Sequence, residues 1–280
     1  MAIKLIAMDI DGTLLDSHAQ VPEENARAVA EAAARGVEIV LVTGRRFDFA
    51  RPIADALPCD LHFIVSNGAL IKSKSGETHQ QLLLPSRTAR RVIESTEAFR
   101  ANAAVIFDRP MERQVVLEKV EWDDPLRGGY FRRNRAYIAE VSPLVDCLNG
   151  EDPIQVMFTG YANQIREVEG FLSQLPMAAE FSIAMTVYDK RDFGLVDVIA
   201  PGCSKGATLA EWVRRRGWSR DDVMAIGDNL NDLEMLQFAG LPVVMGNSVP
   251  ELKTLGWRET LSNDQGGVAA AIELYAYGDA

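Results

Sequence analysis

Short apolar runs alternate with amphipathic segments along the first part of the chain. The apolar runs predict buried strands at residues 3–8, 37–42 and 62–65. The segments between them predict helices at residues 22–35, with Gly36 as the stop signal, and at residues 47–57. Because strand and helix alternate, we expect a parallel sheet joined by right-handed helical crossovers.

The same alternation returns towards the end of the chain, whereas the middle is less regular. The late pattern predicts helices at 205–216, 231–239 and 267–277 and strands at 223–226 and 242–245. The middle mixes β-like runs at 103–107, 115–120 and 154–159 with helix-like runs at 88–100 and 162–175. We therefore predict an α/β fold in which residues 1–84 and 196–280 form a Rossmann-like parallel-sheet core. Residues 85–195 are predicted to form an inserted α+β domain, and one large α/β domain is the alternative.

Composition and charge narrow the class of protein. Hydrophobic residues make up 48% of the chain and charged residues 25%, which is ordinary for a globular protein. The net charge of −11 argues against nucleic acid as a partner, although a small phosphate ligand could bind in a locally positive pocket. Three cysteines without a C-x-x-C pair are typical of a reducing cytosol. No apolar stretch is long enough for a membrane span, so we expect a cytoplasmic protein; the sequence does not indicate its oligomeric state.

The strongest chemical signal is the run Asp9-Ile-Asp11-Gly12-Thr13 directly after the first predicted strand. Ligands of open parallel sheets bind beyond the carboxyl ends of the strands. Two carboxylates at such a position can divide the work of attacking or ligating and of moving protons. A surface turn closed by Asp-Gly is the alternative for this run taken alone.

Further polar groups follow other predicted strands or begin a predicted helix. Thr43-Gly44-Arg45 offers a hydroxyl and backbone amides, and Lys205 lies at a predicted helix start. Asp228 and Asp232 follow the strand at 223–226. Each has a structural alternative, as a helix cap or a surface charge. Together they predict clustered carboxylates, which need a cation such as Mg²⁺, beside a lysine and a hydroxyl suited to a phosphoryl group.

Two residues near these strand ends leave their role open. Asn67, in Ser66-Asn67-Gly68, either contacts substrate or bridges to the inserted domain. Arg45 either reaches the substrate or is a solvated arginine. The sequence pattern does not decide between these alternatives.

In order along the chain, these motifs resemble those of the haloacid dehalogenase superfamily of aspartate-dependent phosphohydrolases. The matching residues are Asp9-x-Asp11-Gly-Thr13, Thr43, Lys205 and Gly227-Asp228-x-x-x-Asp232. Ser66-Asn67-Gly68-Ala69, Met245-Gly246-Asn247 and Gly266-Gly267-Val268-Ala269 resemble the Cof-type sugar-phosphatase branch in particular. That branch carries a large α/β cap domain, which sets substrate specificity, where residues 85–195 stand here.

The resemblance implies a role for each matched residue. Asp9 would be the nucleophile, and Asp11 the general acid and base. The side chains of Asp9 and Asp228 and the backbone carbonyl of Asp11 would bind Mg²⁺. Four further residues would hold the phosphoryl group or orient ligands and water: Thr43, Lys205, Asn231 and Asp232. Gly44 and Asn67 are further candidates for binding the substrate.

The implied function is a Mg²⁺-dependent phosphatase of small phosphorylated metabolites, with sugar phosphates the leading class and an aspartyl-phosphate intermediate. A phosphohexose mutase-type phosphotransferase of the same superfamily would share Asp9 and Asp11 and is the alternative enzyme. A non-catalytic sugar-phosphate sensor is the second alternative. The presence of Asp9, Asp11, Lys205 and Asp228 argues against the sensor.

Overall fold

The computed structural model describes residues 3–188 and 191–277. Its strands are β1 (Leu5–Met8), β2 (Glu38–Val42), β3 (His62–Val65), β4 (Leu70–Ser73), β5 (Thr78–Gln81), β6 (Ala103–Ile106), β7 (Val115–Leu117), β8 (Ile138–Glu140), β9 (Gln155–Gly160), β10 (Ser182–Tyr188), β11 (Phe193–Ile199), β12 (Val223–Gly227), β13 (Leu241–Val244) and β14 (Arg258–Glu259). Its helices are α1 (Glu23–Ala34), α2 (Phe47–Ala54), α3 (Ser86–Ser95), α4 (Gly128–Arg133), α5 (Ala162–Ser173), α6 (Lys205–Arg215), α7 (Leu233–Phe238), α8 (Pro250–Lys253) and α9 (Gly267–Ala271). Within these two ranges, every helix lacks the length or the apolar character that a bilayer span requires.

The chain divides into a core unit and an inserted unit. The core unit is the chain up to Gln81 and from Ser204 onward, and the inserted unit is Leu82–Cys203. The sequence pattern predicted the second junction between residues 195 and 196, which lies inside β11. Because β11 pairs along its length with β9 and β10, the whole strand belongs to the inserted unit.

The core unit is built on a sheet with the strand order β14-β13-β12-β1-β2-β3-β4-β5. Neighbouring strands are parallel from β14 to β3, as the alternation of strand and helix predicted. Met8 at the end of β1 stands beside Leu41 of β2 and Ile226 of β12. The carboxyl ends of these three strands therefore meet at one edge, where the strand order changes direction and ligands of such sheets bind.

The core sheet departs from the predicted parallel pattern at one side. After β3 the chain turns back twice, so that β4 pairs antiparallel with β3 and β5 antiparallel with β4. The prediction missed this pair because β5 consists of four polar residues that are half-buried or exposed, which carry little hydrophobic signal.

Three core helices differ in extent from their predicted ranges because their ends change geometry. Helix α2 ends at Ala54, and residues 55–57 continue with hydrogen bonds to the third residue before each. Residues 230–232 form a 3₁₀ turn, so α7 begins only at Leu233. Beyond Ala271, the last helix widens into a π turn over residues 272–276.

The inserted unit contains its own sheet, with the strand order β10-β11-β9-β6-β7-β8. Its strands pair antiparallel except for β7 and β8, which are parallel. Helices α3 and α5 bury Val92 and Ile165 in the same hydrophobic core as Val105, Phe158 and Val196 of the sheet. The predicted fold class, a Rossmann-like core with an α+β insertion, is confirmed.

Candidate active site

The loop after β1 is shaped by a glycine, Gly12, where a larger residue would strain the backbone and displace a neighbouring side chain. Asp9 continues the strand, and its amide donates to the Ile226 carbonyl of β12 at 3.0 Å. The chain then turns at Gly12, whose φ of +84° is a backbone conformation that favours glycine. A Cβ on Gly12 would lie 2.4 Å from Oδ2 of Asp228. The loop therefore approaches the end of β12 closely because residue 12 has no side chain.

Lys205 is the first residue of α6 and reaches into the core unit. Ser204 caps the helix, since its Oγ accepts from the Ala207 amide at 3.1 Å, and it also hydrogen-bonds to Glu234. The Lys205 ammonium donates to Oδ1 of Asp9 at 2.6 Å and to Oδ1 of Asp232 at 2.7 Å. Lys205 is only 2% exposed, so this bridge between two carboxylates lies out of contact with bulk water.

The end of β12 supplies two carboxylates with different partners. Oδ1 of Asp228 accepts from the Thr13 hydroxyl at 2.9 Å. Oδ2 of Asp232 accepts from the backbone amides of Asp228 at 3.0 Å and Asn229 at 3.1 Å. Asp232 is thus tied to the turn that carries Asp228, and Asn231 lies in the same 3₁₀ turn.

Asp9, Asp228 and Asp232 bring carboxylate oxygens within 4.8 Å of one another. Burial raises the pKa of Asp9 well above its usual range, and the charges of Asp232 and Asp228 add to this effect against the Lys205 ammonium. Burial, followed by the charge of Asp232, raises the pKa of Asp228 to about 7. Burial alone would lower the pKa of Lys205, but Asp232 and Asp9 outweigh it and raise that pKa. One buried ammonium therefore faces three carboxylates.

This donor set fits a hard divalent cation. Carboxylate oxygens are the ligands that Mg²⁺ prefers, and a cation would relieve the repulsion that adds to the effect of burial on the pKa values of Asp9 and Asp228. The cluster of three carboxylates in the structure includes Asp232. The metal ligands expected from the sequence were instead Asp9, Asp228 and the backbone carbonyl of Asp11. Asp232 is already bound to Lys205 and to two backbone amides, which agrees with its expected role in orienting the other groups. That role stays a prediction.

The carboxylate of Asp11 is not part of the cluster of Asp9, Asp228 and Asp232. It pairs with Arg45, which follows β2. The guanidinium donates through Nε to Oδ2 at 2.6 Å and through Nη2 to Oδ1 at 2.5 Å. The amide of Arg45 donates to Oγ1 of Thr43 at 3.1 Å. Because Thr43 Oγ1 accepts this bond, its own proton is directed elsewhere, as binding of a phosphoryl oxygen would require.

The ends of β2 and β3 bring Thr43, Gly44 and Asn67 together. The backbone amide of Asn67 donates to the backbone carbonyl of Thr43 at 3.1 Å. A Cβ on Gly44 would lie 3.0 Å from the side-chain Oδ1 of Asn67. Ser66 and Asn67 have φ values of +51° and +54°, which are unusual for non-glycine residues and recur at functional sites. Asn67 is 3% exposed, so its side chain belongs to the core unit's interior at this edge.

Sequence reasoning missed three partners that shape the site. It did not pair Arg45 with Asp11, Thr13 with Asp228, or Glu234 with Ser204. Thr13 lies 215 residues from Asp228, and no local pattern relates them. Arg45 carried a usable signal, because the ends of adjacent parallel strands place residues after β1 and β2 side by side.

Comparisons with known proteins give one consistent family. A family model described as haloacid dehalogenase-like hydrolase matches residues 6–272. The 5-amino-6-(5-phospho-D-ribitylamino)uracil phosphatase YcsE of Bacillus subtilis is 28% identical, over 96% of this chain and 94% of its own length. The crystal structure of a haloacid dehalogenase-like hydrolase from Bacteroides thetaiotaomicron matches with a TM-score of 0.79 and 26% identity, covering 97% of this chain and 98% of that one.

A further relative is matched over less than half of its length. Endoribonuclease YBEY, chloroplastic, of Arabidopsis thaliana is 32% identical over 97% of this chain, which spans 46% of that protein. The name of that protein describes the whole of it and does not identify the activity of the matched part.

Proposed function

Since this chain belongs to the haloacid dehalogenase-like hydrolase family, we propose that it is a Mg²⁺-dependent phosphatase of small phosphorylated metabolites. The observation that carries the proposal is the cluster of Asp9, Asp228 and Asp232 where β1 and β12 end, with buried Lys205 bound to Asp9 and Asp232. Such a site holds an anionic nucleophile beside positive charge, as attack on a phosphate ester demands.

Asp9 and Asp228 would hold Mg²⁺ through their side chains, and Asp11 through its backbone carbonyl. The bound ion would supply charge neutralisation for the phosphoryl oxygens. Thr43, the backbone amide at Gly44 and Lys205 would hold those oxygens as their charge shifts. Asp232 would keep Lys205 and the turn at Asp228 in place. Asn231 and Asn67 would complete the contacts to the substrate.

The reaction takes place in two halves. A carboxylate oxygen of Asp9 attacks phosphorus, the bond from phosphorus to the leaving oxygen breaks, and Asp11 gives its proton to that oxygen. Water then attacks the phosphorus of the aspartyl-phosphate and passes a proton to Asp11, which releases inorganic phosphate and restores Asp9.

We propose sugar phosphates as the leading substrate class, and the inserted unit as the part that determines which metabolite is accepted. The name of the Bacillus subtilis relative supports this class, since its substrate carries phosphate on a ribityl chain. We also expect a cytoplasmic location, to which three cysteines in the thiol form are suited.

The test measures phosphate release from p-nitrophenyl phosphate with Mg²⁺ and with EDTA. It compares the wild type with Asp9→Asn, which keeps the size of the side chain but removes the nucleophile. Asp123→Asn is the matched control, because the Asp123 side chain is fully exposed in the inserted unit. A panel of sugar phosphates and other phosphorylated metabolites then follows with the same variants.

We expect release that requires Mg²⁺, disappears in Asp9→Asn and persists in Asp123→Asn. Release that continues in Asp9→Asn would refute the aspartyl-phosphate mechanism. If folded wild type turns over none of the panel, the phosphatase proposal falls. Conversion of a hexose phosphate to its isomer would then indicate a phosphotransferase, and binding without conversion would indicate a sensor.

A further inference from the structure

Arg45 and Asp11 form a bidentate ion pair, in which two nitrogens of one guanidinium bind one carboxylate. Nε and Nη2 each donate to a different oxygen of the same carboxylate, at 2.6 and 2.5 Å. Such a two-bond pair fixes the plane and the rotamer of a carboxylate, which one hydrogen bond does not. The side chain of Arg45 remains 32% exposed and that of Asp11 40% exposed. The pair therefore lies in the open at the carboxyl ends of β1 and β2, where a substrate could reach it.

Both members of the pair stand on backbone that is fixed independently of it. The amide of Arg45 donates to Thr43 Oγ1, and its carbonyl accepts from the Ser66 amide at 2.9 Å. On the other side, residues 11 and 15 form a bridge, and the Leu15 amide donates to the Ile10 carbonyl at 3.0 Å. An ordinary exposed ion pair between two flexible side chains lacks such backbone hydrogen bonds on both sides.

The pairing suits one of the two tasks proposed for Asp11. A carboxylate has about four lone-pair sites, and the arginine uses two of them, so acceptor sites remain for a proton from water. Both arginine N–H groups donate to Asp11, so the pair presents oxygen acceptors towards the open side and not an O–H donor. The arrangement therefore favours the second half of the reaction.

We propose that Arg45 is a positioning residue that presents Asp11 as the base for hydrolysis of the aspartyl-phosphate, an inference that rests on the proposed function. In that step the water oxygen bonds to phosphorus, the bond from phosphorus to Asp9 breaks, and the water proton goes to Asp11. Arg45 contacts none of the reacting atoms in this assignment and acts through the orientation of Asp11.

The test uses p-nitrophenyl phosphate, because nitrophenolate leaves without needing a proton. For this substrate kcat/KM reports the first half of the reaction, and kcat includes the second. We expect Arg45→Gln to lower kcat by about 10² or more, the range of a lost general base, and to change kcat/KM by less than about threefold. Rapid mixing should show a burst of about one nitrophenolate per active site, because the aspartyl-phosphate accumulates.

Three further variants separate positioning from charge and from structure. Asp11→Asn should show the same split between kcat and kcat/KM, and the double variant Asp11→Asn with Arg45→Gln should lose little more. Arg45→Lys keeps the charge without the fork and should behave as Arg45→Gln does. Arg27→Gln, which removes an exposed arginine of α1, should match the wild type.

Several outcomes would overturn the inference while leaving the phosphatase intact. An equal loss of kcat and kcat/KM, or a rise in KM alone, would show that Arg45 binds the phosphoryl group instead. Full recovery in Arg45→Lys, additive losses in the double variant, or an unchanged kcat in Arg45→Gln would each remove the positioning role. A wild type without Mg²⁺-dependent release is a different result, since it refutes the proposed function itself.

Discussion

Replacing Lys205 with methionine removes the buried positive charge while keeping a side chain of similar length. Asp9, at 5% exposure, and Asp232, at 0%, would then lose the ammonium that lies 2.6 and 2.7 Å from their oxygens. Removing one partner of a buried ion pair costs about 3–5 kcal/mol, because the remaining charge stays out of water. We expect Lys205→Met to destabilise the core unit by about that amount in the absence of metal.

The loss of stability caused by Lys205→Met should depend on pH, and the direction of that dependence follows from the pKa of Asp9. Burial already raises the pKa of Asp9, and removing Lys205 raises it further. Folded protein therefore holds a proton that unfolded protein releases, so stability falls as pH rises through the folded pKa. The raised pKa of Lys205 adds no slope to the wild type between pH 5 and 8, because its contribution is fully present below its unfolded pKa of about 10.5. The gap between variant and wild type should thus be larger at pH 8 than at pH 5.

Hydrogen exchange of the β1 and β12 amides in EDTA measures opening of the core unit separately from the inserted unit. Lys119→Met is the control, since the Lys119 side chain is 79% exposed and its loss should cost close to nothing. Asp232→Asn in the Lys205→Met background should recover part of the loss by removing one stranded carboxylate. A loss below about 1 kcal/mol at pH 8, or the same loss at pH 5, would show that the three carboxylates are not under electrostatic strain.

Three shorter predictions concern the same edge of the sheet. In EDTA, the wild type should lose stability between about pH 4 and pH 7, by up to about 1.4 kcal/mol per pH unit for each carboxyl whose pKa is raised, Asp228 to about 7 and Asp9 well above its usual range; urea unfolding should show this slope, and Mg²⁺ should abolish it. Gly12→Ala should cost about 1–2 kcal/mol in urea unfolding for its φ of +84° and should remove most phosphate release, since the new Cβ displaces Asp228. Ser204→Ala should cost about 1 kcal/mol, measured by exchange of the α6 amides, because Ala207 loses its capping acceptor.

The regular parts of the fold were predictable because their hydrophobic pattern is strong. β1 is buried at every residue, and α1 buries Ala28, Val29 and Ala32 on one face before the chain turns at Gly36. The pattern failed where pairing with distant residues decides the structure. β8 and β10 are mostly half-exposed strands of the inserted sheet, so neither shows the buried run or the clean alternation that identifies a strand.

The composition of the site was predictable, but its pairings were not. Asp9, Thr43 and Asp228 follow strands whose order in the sheet brings their ends together, so their proximity follows from topology. Which carboxylate takes the ammonium and which takes the guanidinium depends on side-chain reach and burial. Lys205 enters from α6 towards Asp9 and Asp232, while Arg45 follows β2 and lies beside Asp11.

The distribution of cations gives the two aspartates of the first motif different environments. Asp9 is buried against Lys205, so its charge is held among other carboxylates and away from water. Asp11 lies at the open edge and is paired with an arginine that fixes its plane. A nucleophile benefits from removal of water and from nearby positive charge, whereas a proton carrier must remain accessible to water. Two identical side chains only two positions apart are therefore suited to the different steps proposed for them, because one is buried beside Lys205 and the other is 40% exposed beside Arg45.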